Sequence, residues 1–227
     1  MGKGKLFLAG IYALVLLIGV GLIISGGAIL WANTFMKDSD GFYTSRWVEV
    51  ERDSHAITSD PAEINVKHLG GLLGWVESIE VKLAAKNNSD KGVFVGIAAE
   101  EDLQDYLNGV EHDEIEELDL NHPVGKPNIT YRHFPGSSSP DAPTNKDFWE
   151  ASASGTGNQV LRWGIESGTY SVALMNQDGT SGVDITATIG ANVPVASGLG
   201  LWLTIAGLIL ALLSFLFLFV TIRRSNI

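Results

Sequence analysis

Two unbroken apolar runs, Leu6 to Ala32 and Leu199 to Ile222, bracket a middle segment in which apolar and polar residues alternate. A helix of about 20 residues crosses the hydrocarbon layer of a bilayer, so each run is long enough to span one. Between them the period of two predicts strands. Trp75, Ile79, Val81 and Leu83 share one face, with Val76, Ser78, Glu80 and Lys82 on the other. The same rhythm recurs in Leu161-Trp163-Ile165, in Tyr170-Val172-Leu174 and in Val183-Ile185-Ala187-Ile189. Further strands are expected over Arg46 to Arg52, Val93 to Ala98, Glu114 to Leu120 and Ile129 to Phe134. Turn signals separate them, among them Glu166-Ser167-Gly168 and Asn176-Gln177-Asp178-Gly179. Short strands at this spacing imply an antiparallel β-sandwich, jelly-roll-like in type.

One helix interrupts the strands. Glu100, Glu101 and Asp102 suit the positive end of a helix dipole. Leu103, Tyr106 and Leu107 form an apolar face, and Gly109 is a C-terminal stop. This helix is expected to pack over an edge or open end of the sandwich. Phe134 to Asp147, with three prolines and a triple serine, reads as an exposed loop.

The flanking charges set an expected topology. Lys3 and Lys5 precede the first run, and Arg223 and Arg224 follow the second. Basic residues favour the cytoplasmic side, so both termini are expected inside and the middle outside. The expected divisions are tails at 1–5 and 223–227, spans at 6–32 and 199–222, and an extracytoplasmic β domain at 33–198. The first run exceeds the 7–15 residues of a signal peptide's apolar region, and no Ala-x-Ala site follows, so it reads as an anchor. Trp31 and Trp202 lie where the expected outer membrane interface falls, a level that indole rings favour. Gly21 with Ser25, and Gly207 with Ala211, form small-xxx-small pairs that let helices approach closely, within one chain or between chains. Neither run holds an Asp, Glu, Lys, Arg or His, which speaks against ion or proton transport by this chain alone.

Composition sharpens the reading of the middle. All 26 Asp and Glu lie there, with 11 of the 15 Lys and Arg, a balance of −15. Such a domain is unsuited to nucleic acid. The chain has no cysteine, which excludes thiol catalysis, cysteine metal sites and disulfides.

The stretch Phe148-Trp149-Glu150-Ala151-Ser152-Ala153-Ser154-Gly155-Thr156-Gly157, followed by Leu161-Arg162-Trp163, Gly168-Thr169-Tyr170-Ser171-Val172 and Met175-Asn176-Gln177-Asp178-Gly179, is distinctive. So is Asp40-Gly41-Phe42-Tyr43-Thr44-Ser45. Together they resemble a group of uncharacterised two-span membrane proteins of actinobacteria and archaea with an extracytoplasmic β domain. The resemblance covers most of the middle segment and the anchor layout, and it implies architecture without an activity.

Candidate chemistry is sparse. Glu111, Asp113, Glu114 and Glu116 are candidate oxygen ligands for calcium, although Ile115, Leu118 and Leu120 equally suit a half-buried strand with a solvated acidic face. Asn176 to Gly179 superficially resembles a cation loop, but a hairpin turn asks for the same residues. The histidines, His55, His68, His112, His122 and His133, show no zinc spacing. Ser54-His55 is adjacent in sequence, which on a strand points the two side chains apart. Trp47, out of phase with Val48 and Val50, is a candidate partner contact. Asn87-Asn88-Ser89 and Asn128-Ile129-Thr130 fit the glycosylation pattern. The reading is therefore a non-enzymatic, membrane-anchored interaction or structural protein, working with another membrane or surface protein or with itself. The alternative is extracytoplasmic binding of a divalent cation or an envelope carbohydrate.

Overall fold

The computed structural model describes residues 3–66, 79–119 and 127–223. By contacts it divides into two units, one made of Met1–Asp40 with Val193–Ile227 and the other of Gly41–Asn192. The expected strand around Trp75 begins among residues outside the described set, as do His68 and His122.

The first unit is a pair of helices, α1 (Lys3–Phe35) and α3 (Val195–Arg223). Within them Leu6–Phe35 and Ala196–Arg223 are long and apolar enough to cross a membrane. Leu, Ile and Phe side chains are exposed along both helices, the pattern of a helix solvated by lipid rather than half-buried in a globule. This chain is a membrane protein by that criterion.

Glycines set seven residues apart join the two helices. A Cβ on Gly19 would lie 2.8 Å from the Ala211 nitrogen and 3.0 Å from the Gly207 oxygen. One on Gly26 would lie 2.6 Å from the Gly200 oxygen, and one on Gly207 2.6 Å from the Gly19 oxygen. Seven residues are close to two helical turns, so the paired glycines on each helix share a face. The expected Gly207–Ala211 pair lies at this seam. Gly21 and Ser25 do not: Gly21 meets nothing within 4 Å and both are exposed. The helical period explains their place, because a position two residues after Gly19 points away from the seam within the chain. Tyr12 stacks on Phe217 with ring centroids 5.5 Å apart.

The second unit is mainly β, with two sheets. One contains β1 (Tyr43–Thr44), β2 (Val48–Arg52), β5 (Glu80–Asn87), β10 (Gln159–Gly164) and β12 (Val183–Asn192). Its order is β1-β12-β5-β10, with β2 also pairing β12. The other contains β3 (Ala56–Ser59), β4 (Ala62–Ile64), β6 (Val93–Ala99), β7 (His112–Asp119), β8 (Asn128–Phe134), β9 (Trp149–Gly155) and β11 (Gly168–Asn176). Its order is β8-β7-β3-β11-β6-β9, with β4 beside β11. One pairing, β3 with β7, is parallel, a departure from the all-antiparallel expectation.

A single apolar core joins the sheets. Val50, Leu83, Leu161 and Ile185 from the first sheet meet Ile57, Val95, Ile97 and Leu174 from the second. Trp163 packs against it from the expected inner phase.

A second core lies on the outer face of the larger sheet. There α2 (Glu100–Tyr106) and the residue after it press Leu103 and Leu107 onto Phe94, Ala98, Ala173 and Met175. The helix thus covers a sheet face rather than an edge or open end, because β6 and β11 present small and apolar residues on both faces. Gly109, with φ +75°, ends the turn that follows. The single short helix expected from sequence is joined by a 3-10 turn at Pro143–Asn145, in the Phe134–Asp147 loop. That loop is tied down: Tyr106 Oη donates to the Asp141 carbonyl at 2.7 Å and Trp149 Nε1 to the Pro143 carbonyl at 3.0 Å. Burial and, secondarily, the Asp141 charge push the Tyr106 hydroxyl pKa up.

Asn176 to Gly179 is a turn. The Gly179 N–H donates to the Asn176 carbonyl at 2.9 Å, with Gly179 at φ +75°. Asp178 Oδ1 accepts from the Thr180 hydroxyl at 2.7 Å and from its N–H at 3.1 Å. These bonds, the hydroxyl foremost, hold the Asp178 carboxyl below its usual range. Asp178→Ala is expected to lower unfolding free energy by about 0.5–1 kcal/mol at neutral pH. A depressed carboxyl pKa stabilises the fold above its unfolded value and loses that effect as pH falls through the folded one. The difference between the two proteins should therefore vanish in acid, which paired thermal melts across pH would check.

Candidate functional site

Period two decides the fate of the acidic strand. On β7, Asp113 shares the inward phase with Ile115, while Glu114 and Glu116 face outward. The register places Asp113 opposite His133 and Glu114 opposite Arg132 on β8. Asp113, only 6% exposed, accepts from or pairs with His133 Nδ1 at 3.2 Å and lies 3.9 Å from Arg52 Nε. The Arg52 guanidinium sits 3.7 Å above the Tyr131 ring. Glu111 Oε1 lies 3.6 Å from His133 Nε2. On the outer face Arg132 bridges Glu114, at 3.0 Å, and Glu116. The four candidate calcium ligands are thus divided between two faces and held by His133, Arg52 and Arg132. Among the described residues no group of three or more His, Asp or Glu forms a metal-holding cluster.

The other candidates separate as well. Ser54 Oγ donates to the Ala56 carbonyl at 3.1 Å, whereas His55 Nδ1 bonds the Gly179 carbonyl at 2.9 Å, so the adjacent pair forms no dyad. Trp47 is 48% exposed. Trp31 and Trp202 both project outward from the helix pair. Asn87 donates its amide to Asn176 Oδ1 at 2.8 Å, which commits the nitrogen a glycan would need, while Asn128 is exposed.

The structure brings together a site that no local spacing announces. Beside α2, on the outer face of the larger sheet, lies an open cleft of about 390 Å³. Helix α2 and the turn after it contribute Glu100, Leu103, Gln104 and Leu107; β3 contributes Thr58, β7 His112 and Glu114, β8 Phe134, and β11 Ser171. Glu100 is clamped from two sides: its Oε1 accepts from Gln104 Nε2 at 2.6 Å, and its Oε2 accepts from the Ser171 hydroxyl. Ser171 is buried. His112 and Phe134, opposite each other across β7 and β8, stack with centroids 4.6 Å apart and planes within 2°. His112 Nδ1 bonds the Val110 carbonyl at 2.8 Å. A carbonyl only accepts, so Nδ1 carries a proton and donates in this bond.

Burial pushes the Glu114 carboxyl up from its ordinary pKa; Arg132 pulls it down, while Asp60, Glu100 and Glu116 raise it further. The sequence held one signal for the cleft. Ser171 alternates with Tyr170 and Val172 as a solvent-facing residue would, yet it lies under a helix whose first residue is Glu100. No protein-family model, curated protein or solved structure matches this chain.

Proposed function

We propose that this chain is a membrane-anchored interaction protein of the cell envelope, with its β domain outside, both termini inside, and no catalytic role of its own. In this reading it serves as an accessory subunit of another membrane or surface protein, or assembles with itself. The observation that carries the reading is the division of the chain into a helix pair clothed in apolar side chains and a separate acidic β unit with its own complete core. The basic residues at the outer ends of the two apolar runs supply the orientation. Exposed Trp47 is a candidate contact, since tryptophan is enriched where interfaces concentrate their energy.

The reading also takes the fold as a jelly-roll sandwich. In support, the paths β2-β12-β5-β10 and β3-β11-β6-β9 interleave as two Greek keys do. On that basis α2, β7 and β8 are an insertion between β6 and β9, and the cleft is built largely from the insertion. Gentle detergent extraction from the native membrane, with sizing and mass spectrometry of the eluate, tests the functional reading. A stoichiometric second protein or a defined homo-oligomer is the expected result; a lone monomer would contradict it.

A further inference from the structure

Charge and shape, taken together, select a ligand for the cleft beside α2. Its polar lining carries two carboxylates. Glu100 and Glu114 supply them, beside Thr58, Ser59 and Asn108, which can donate as well as accept. Two donors that the lining contains, the Gln104 amide and the Ser171 hydroxyl, already donate to Glu100. No lysine or arginine lines the cleft; Arg132 reaches Glu114 from β8, outside the lining. Leu103, Leu107 and Phe134 form an apolar wall. A neutral sugar would bring no charge to the two carboxylates. A cation on a hydrocarbon stem matches both parts of the lining, since its head carries only donors and its stem can lie along the apolar wall.

We propose that the cleft beside α2 binds a primary ammonium or guanidinium group carried on an apolar stem, with Glu100 and Glu114 as its counter-charges. The ligand is either a free alkyl amine or the basic side chain of a partner protein, and the two share this chemistry. The raised Glu114 carboxyl agrees with the assignment: a half-buried acid facing Asp60, Glu100 and Glu116, with Arg132 opposing them, gains from a further positive charge. The proposal does not depend on the envelope reading above, because it concerns the cleft and not the side of the membrane on which it lies.

The test uses the full chain in nanodiscs and saturation-transfer NMR. Two cationic probes, n-butylammonium and Nα-acetyl-lysine N-methylamide, are compared with n-butanol and with a neutral methyl glycoside. At neutral pH the cations are expected to bind with a Kd on the order of 1 mM. Glu100→Gln and Glu114→Gln should each weaken them about tenfold, whereas Glu117→Gln, exposed and outside the cleft, should not. Binding should fade as pH drops through the titration of Glu114. A clear preference for the lysine amide would assign the ligand to a protein side chain, and equal binding to a free amine. Equal binding of n-butanol, binding of the glycoside in place of the cations, an equal loss in Glu117→Gln, or no cation binding by the unsubstituted protein would each overturn the proposal. The probe comparison on that protein stands even if a variant fails to fold.

Discussion

Asn176→Ala is expected to destabilise the β domain by about 3 kcal/mol, the summed effect of losing several part-buried hydrogen bonds made by one fully buried side chain. Asn176 ends β11 with no exposed surface. Its Nδ2 group donates to the carbonyls of Thr180, Ser181 and Gly182 at 2.8, 3.1 and 3.1 Å, and its Oδ1 accepts from Asn87 Nδ2 at 2.8 Å. One side chain thereby ties the turn after β11 to the end of β5, and so one sheet to the other. Alanine removes this partner from those carbonyls and from the Asn87 amide and leaves a gap where Asn176 was fully buried. For a domain of this size the melting temperature should fall by about 6–12 °C. Asn87→Ala, at a partly buried position, should cost less. Thermal melts of the full chain followed by tryptophan fluorescence would measure both, and a loss in Asn176→Ala no larger than that in Asp178→Ala would show that the hub is dispensable.

Gly207→Leu is expected to part the two helices. The added Cβ alone would approach the Gly19 oxygen to 2.6 Å and the Ile23 nitrogen to 2.8 Å. Both are backbone atoms, which cannot rotate aside as a side chain can. Overpacking of this kind costs about 1–3 kcal/mol in a protein core, and within a bilayer no hydrophobic drive between helices offsets it. Gly21→Leu, where the added Cβ meets open space, should leave the pair intact. The chain has no cysteine of its own, so Tyr12→Cys with Phe217→Cys, replacing the stacked rings, gives a clean cross-linking pair. Cross-linking should survive Gly21→Leu and be largely lost with Gly207→Leu; survival in both would contradict the glycine seam.

Alternation is visible in a sequence only when one face of a strand is wet. The strands at Val93, Leu161, Tyr170 and Val183 were legible for that reason or because their apolar run was continuous. β3 was not: Ala56, Ile57 and Thr58 are all buried, because the core covers one face and the elements beside α2 the other. β9 is hard to see in the sequence, since Ala151 and Ala153 carry little hydrophobic contrast against Ser152 and Ser154.

The acidic run showed its composition but not its division. The strand period sends Asp113 inward and Glu114 outward, and the cross-strand partners His133 and Arg132 lie in a separate element. The cleft was illegible for a deeper reason. Thr58, Glu100, Glu114 and Ser171 come from four elements that become neighbours only through the sheet order, and Glu100 taken alone reads as a helix-opening charge. The helix seam lay nearer to hand. Gly19 and Gly26, like Gly200 and Gly207, repeat at seven residues, but a search for small residues four apart passes over that spacing.

The central claim is that an acidic β domain is held outside the cell by two anchors whose ends remain inside. Single cysteines at exposed Ser138 in the domain and at Ser225 beyond the second span, each in the otherwise cysteine-free chain, test it on intact cells with a membrane-impermeant maleimide. The account predicts labelling of Ser138→Cys on intact cells and of Ser225→Cys only after permeabilisation. Labelling of Ser225→Cys alone on intact cells would contradict it.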